Sequence, residues 1–107
     1  MESAIDAFLE HLRSEKRASR HTVDNYGRDL RALHSFLEDK RGKKPKLGDV
    51  DVYALRGWLG AFARTHAPAS TARAIAAVRT FFRHARRSGR VEKDPTELLA
   101  SPKVRRP

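Results

Sequence analysis

The sequence predicts an all-α fold: a bundle of four helices with a short fifth helix at its C-terminal end. Two observations predict it. Apolar residues recur every three to four positions in four successive segments, while strand-like alternation is almost absent. Capping residues and prolines fall between those segments rather than inside them.

The first helix is expected over residues 3–15, where Ile5, Phe8, Leu9 and Leu12 stand at i, i+3, i+4 and i+7. A second stripe runs Val23, Tyr26, Leu30, Leu33, Leu37. Ser19 is placed to cap it, because a serine hydroxyl accepts from a free N–H of the first turn. That helix should end near Lys40–Gly42, with Gly42 in the left-handed position and Pro45 blocking continuation. Val52, Leu55, Leu59 and Phe62 define a third helix capped by Asp51, with Val50 and Leu55 as a hydrophobic staple. His66, Ala67 and Pro68 close it. The fourth helix is expected to start at a Ser70 cap, to bury Ile75, Val78, Phe82 and Ala85, and to run to Ser88 and Gly89. The short fifth helix starts at Asp94 with Pro95 in its first position. Glu97 would complete an acidic capping box, and Leu98 and Leu99 would dock on the bundle. Residues 101–107 hold two prolines and three cations and read as an extended linker, which leaves residues 1–100 as one domain.

Composition narrows the partners. Of the 107 residues, 39% are hydrophobic and 34% charged, which fits a globular domain with a charged surface. No apolar run approaches the roughly 18 residues of a membrane span, so no membrane partner is expected. The start Met1-Glu2-Ser3 is acidic and lacks a signal-peptide pattern, and there is no cysteine. The expected setting is the cytoplasm. A net charge of +10 and a pI near 10.9 favour a polyanion: DNA, RNA or an anionic membrane.

The charge is unevenly spread. Residues 16–44 carry nine Lys/Arg against four Asp/Glu and residues 68–93 carry seven against one, whereas residues 1–15 carry one against four. At about 100° per residue, Arg73, Ala76, Ala77, Thr80, Arg83, His84 and Arg87 fall opposite the core stripe of the fourth helix. Small residues let a helix backbone approach a phosphate ridge, and arginine supplies charge-assisted bonds to phosphate or guanine. On the second helix His21, Asn25, Arg28 and Arg31 lie away from the core, and its Arg20-His21-Thr22 start presents free N–H groups. Arg79 lies on the flank of its stripe, within reach of phosphate or of a carboxylate such as Asp29.

Reaction chemistry is missing from the pattern. The five histidines form no i, i+4 pair and have no cysteine beside them, so no metal site and no cofactor are expected. There is no glycine-rich phosphate loop. Tyr26 belongs to an apolar stripe, and Tyr53 has no activating base nearby. No catalytic residue is assigned.

Three segments resemble the tyrosine recombinases. Ser19, Thr22, Tyr26, Asp29 and Leu30 match an S-x-x-T-x-x-x-Y-x-x-D-L pattern. Ser70, Arg73, Ala77, Arg79 and Phe81 match S-x-x-R-x-x-x-A-x-R-x-F. Asp94-Pro95 and Leu99-Ala100-Ser101-Pro102-Lys103 resemble the exit segment of Xer-type members. The resemblance implies the N-terminal core-binding domain of such an enzyme: an orthogonal four-helix SAM-like bundle forming half of a C-shaped clamp on duplex DNA. It implies that the second and fourth helices face the major groove and that a catalytic domain of the same parent chain supplies the chemistry. Other recombinase protomers on the DNA are implied as further partners, and the isolated domain is expected to be a monomer. Combined with the charge pattern, this gives a DNA-binding set of Arg20, His21, Thr22, Asn25, Arg28, Arg31, Ser70, Thr71, Arg73, Ala77, Arg79, Thr80, Arg83 and Arg87. Gly27 departs from the pattern, standing where arginine is common, and no role is carried onto it. An alternative is a protein-interaction bundle, with acidic Glu2, Asp6, Glu10 and Glu15 of the first helix facing a basic partner or a neighbouring protomer.

Overall fold

The structure, a computed structural model, describes residues 1–99. They form α1 (Glu2–Ser14), α2 (Arg20–Arg41), a 3-10 turn at Leu47–Asp49, α3 (Val52–Thr65), α4 (Pro68–Arg87) and a second 3-10 turn at Pro95–Leu98. No strand occurs among the described residues. The expected linker at residues 101–107, and Ala100 before it, lie outside them.

Local chemistry sets most of these boundaries. Ser19 Oγ accepts the Thr22 N–H at 3.1 Å, and Asp51 Oδ1 accepts the Ala54 N–H at 2.8 Å. Such caps are worth about 1 kcal/mol each. Gly42 ends α2 at φ 67°, donating its N–H to the Glu38 carbonyl. The staple forms as well, with Val50 and Leu55 both buried.

Two expectations about helix ends are corrected. The fourth helix starts at Pro68 with Ala67 as its cap residue and no side-chain cap, so Ser70 lies inside the first turn. Proline's fixed φ suits the first helical position, and the N–H it lacks is one that a helix start leaves unpaired. The fifth helix is only a single 3-10 turn, Pro95–Leu98. Asp94 Oδ1 accepts from both the N–H and the hydroxyl of Thr96, at 2.8 and 2.5 Å. Glu97 turns to Arg86 instead of back toward the cap, so no reciprocal box forms. Of the two leucines expected to dock, Leu99 is buried with Val52 and Ile75, while Leu98 stays 70% exposed.

The bundle is organised around α2 and α4, each of which packs against the three other helices. A helix with three neighbours buries more than one stripe. Ala74, Ala77 and Phe81 are therefore buried in addition to Ile75, Val78, Phe82 and Ala85. Phe81 meets Phe8 of α1 edge-on at 5.6 Å and Phe82 at 5.0 Å, over a floor of Leu30, Leu33 and Leu55. Each such side chain contributes about 1.5–3 kcal/mol through burial. Gly27 is buried where α1 crosses α2: a Cβ there would stand 3.1 Å from Leu9 Cδ1. The position that looked like a missing arginine is a point of close helix approach. No helix among the described residues is long and apolar enough to cross a membrane.

Candidate nucleic-acid interface

The basic residues of α2 and α4 have three different fates. The first is pairing within the fold. Arg73 of α4 reaches Asp29 of α2 in a two-pronged pair, Nε to Oδ2 at 3.0 Å and Nη2 to Oδ1 at 3.1 Å. Asp29 is 2% exposed, and donating to its carboxylate holds the Arg73 guanidinium above its ordinary pKa. A buried carboxylate is tolerable only with such a partner. Ala77, one turn further along α4, is fully buried. The structure thus ties Arg73 into the α2–α4 seam and takes Ala77 out of solvent.

A second group holds the end of the described chain. Arg79 Nη2 donates to the Leu99 carbonyl at 2.7 Å, and Arg56 Nη2 donates to the Leu98 carbonyl at 3.3 Å. Arg86 pairs with Glu97 at 2.5 Å. Three arginines from α3 and α4 thereby clamp the Pro95–Leu98 turn and the residue after it.

The third group is free. Arg83 and Arg87 are exposed, and neither has a carboxylate partner among the described residues. They form a ridge between two clefts. On one side lies a groove of about 540 Å³ between α1, α2 and α4, which brings Thr22, Tyr26 and Thr80 together with Arg83, Arg87 and Lys16. On the other lies a cleft of about 640 Å³ shared with Arg79, Arg86 and the Pro95–Leu98 turn, the exit turn of the described chain. The groove joins four residues predicted from separate helices: Thr22, Thr80, Arg83 and Arg87. Arg20, His21 and Arg28 are exposed on α2, while Asn25, Ser70 and Thr71 are half-buried. Arg31 is not part of the groove; it borders a separate cleft with Glu2, Asp6 and His34 at the start of α1.

Polar details limit what these groups can do. The Thr80 hydroxyl donates to the Ala76 carbonyl at 2.8 Å and the Thr71 hydroxyl to Ala67 at 3.2 Å. The Thr22 hydroxyl shares a hydrogen bond with Ser19 Oγ at 3.0 Å. These hydroxyls keep acceptor capacity, so the net offer of the groove is cationic with polar walls. Among the described residues no group of three His, Cys, Asp or Glu side chains converges as a metal site. Tyr26 stacks on Phe8 at 6.5 Å, and Tyr53 is 75% exposed with Arg56 near its ring.

Residues 5–89 match the family described as phage integrase, N-terminal SAM-like domain. The chain belongs to this family. Curated relatives include tyrosine recombinase XerC of Pelobacter propionicus, 39% identical over 99 residues, covering 92% of this chain and 33% of the relative. XerC of Rhodospirillum centenum is 39% identical over 108 residues, with 97% and 32% covered. XerC of a Mycobacterium species is 41% identical over 107 residues, with 99% and 35% covered. The chain spans about a third of the length of these relatives. No solved structure matches it.

For this SAM-like integrase domain, the residues that carry the family resemblance acquire a physical reason. Asp29 and Arg73, one from each helical motif, are the two halves of one ion pair. Leu30, Ala77 and Phe81 of the same motifs are fully buried. The motifs therefore mark the α2–α4 seam more than the surface. Sequence reasoning missed Lys16 and His11 as groove residues, because Lys16 lies in the α1–α2 connection and His11 on the acidic helix. The charge count included Lys16 but gave it no face.

Proposed function

We propose that this domain binds duplex DNA as the N-terminal, DNA-gripping part of a site-specific tyrosine recombinase acting in the cytoplasm. The observation that carries the reading is the ridge and groove of Arg83, Arg87 and Lys16, three cations without carboxylate partners among the described residues. Cations left unpaired by the fold are available to neutralise backbone phosphates. The contacts come from Lys16, Arg20, His21, Thr22, Asn25, Arg28, Thr80, Arg83 and Arg87, mostly to phosphate, with modest base readout by Thr22, Asn25 and Arg28. Arg73 acts through the seam it holds, Ala77 through its buried place in the bundle, and Arg79 through the exit turn. Residues 101–107 act as a linker to a catalytic domain of the parent protein, which the relatives' threefold greater length supports.

The test is the salt dependence of duplex binding by the 107-residue chain. Each phosphate contact contributes a slope of about −0.9 in log K against log salt. An affinity insensitive to salt would refute the reading. A second reading, contact with a neighbouring protomer, is favoured by exposed Tyr53 and Leu98, which line one cleft beside the exit turn. Amide shifts induced by DNA on α2 and α4 support the first reading; shifts restricted to α1 and α3 support the second.

A further inference from the structure

The groove between α1, α2 and α4 is lined by two imidazoles that the contact set above does not use, His11 of α1 and His84 of α4. Their ring centroids lie 4.6 Å apart with planes tilted by 37°. The two rings are in unlike settings. His84 also packs on Phe8 at 5.6 Å, and its Nδ1 is buried with no hydrogen-bond partner among the described residues. A second N–H on that ring would be a buried cationic donor without an acceptor, so His84 is held neutral. Its pKa is accordingly lowered, first by burial and then by the charges of His11 and Arg90. His11 instead has its Nδ1 3.2 Å from the Glu15 carboxylate. A proton arriving on His11 finds an acceptor on one side and the neutral His84 ring on the other.

Charged and titratable groups face the pair from each neighbouring element: Glu15 and Lys16 from the end of α1, Tyr26 from α2, Arg83 and Arg87 from α4, and Arg90 from the turn that follows. A phosphate seated among Lys16, Arg83 and Arg87 adds negative charge to the groove that His11 lines, and a nearby anion favours the charged imidazole.

We propose that a DNA backbone phosphate entering this groove brings a proton onto His11, so that His11 becomes a fourth cation of the phosphate seat. The proposal rests on the DNA-binding reading and adds to it a contact from α1 and a linked proton. By linkage, binding tightens as pH falls, because the bound state holds more protons than the free one.

The experiment is duplex affinity of this chain at fixed ionic strength from pH 8 to pH 6. One linked proton gives a gain of up to about tenfold per pH unit. Calorimetry in two buffers of unequal ionisation heat should count a net proton taken up at pH 7. His11→Gln should flatten the pH dependence, and Glu15→Gln should reduce it. His66, exposed just after α3 and outside the contact set, is the control: His66→Gln should leave the dependence in place. Salt-dependent binding that stays flat from pH 8 to pH 6 overturns the proposal and leaves the DNA-binding reading intact. So does a pH dependence that survives His11→Gln. Absence of duplex binding at every pH overturns both.

Discussion

Two sets of arginines on α4 share a helix and a charge but not a role. Arg73, Arg79 and Arg86 are bound to Asp29, the Leu99 carbonyl and Glu97. Arg83 and Arg87 are exposed and hold no carboxylate among the described residues. A count of basic residues along the helix merges the two. The structure separates them, and only the second set remains free to meet an outside anion. Net charge therefore overstates the reach of a DNA-binding face wherever part of it is neutralised within the fold.

Substitutions can break this comparison, and the largest effect belongs to the first set. Arg73→Ala leaves Asp29 buried and unpaired, and loss of one partner from a buried pair costs about 3–5 kcal/mol. Urea unfolding should register it. The double variant Asp29→Leu/Arg73→Met should recover much of that loss, because it removes the stranded charge along with its partner. The second set should behave in the opposite way. Arg83→Glu with Arg87→Glu should lower duplex affinity at least about tenfold and reduce the salt slope by about 2. Its unfolding free energy should change by no more than about 0.5 kcal/mol, the range of ordinary surface changes.

Arg79→Met sharpens the boundary between the sets. Loss of a charged hydrogen bond to the Leu99 carbonyl should cost about 1–2 kcal/mol and speed hydrogen exchange at the Leu99 N–H, which donates to Thr96. Its DNA affinity should stay close to that of the parent. A fall as large as that of the double reversal would move Arg79 into the outward set.

The smallest effect comes from the groove wall. Unfolded His84 protonates near pH 6.5, while the native ring does so at lower pH, because burial and then the charges of His11 and Arg90 oppose it. This contribution is full above about pH 7 and is lost as pH falls through that window, since the unfolded chain takes up the proton first. His84→Phe should flatten that part of a plot of unfolding midpoint against pH.

Much of the fold was legible because it is local. Ser19, Gly42, Asp51 and Asp94 each act within a few residues of their own position, and the apolar stripes need only the helical period. The start of α4 was misread because Pro68 and Ser70 are both acceptable helix starters, and the proline enters the helix two residues earlier. The site was less legible. Periodicity gives one buried stripe per helix, but α4 has neighbours on three sides, which drew Ala77 and Arg73 inward. Asp29 and Arg73 are 44 residues apart in the chain, and nothing local selects Arg73 over Arg79 for the pair. Gly27 carried no sign that Leu9 of another helix would press against it.

The Asp29–Arg73 pair also sets terms for redesign. A library aimed at retargeting the domain to a new DNA sequence can vary Thr80, Arg83 and Arg87 while the scaffold stays intact. Position 73, about two turns upstream on the same helix, has to be frozen. A graft of α4 from a relative has to bring a compatible α2 with it, because the seam is inherited as a unit while the ridge beside it can be exchanged one side chain at a time.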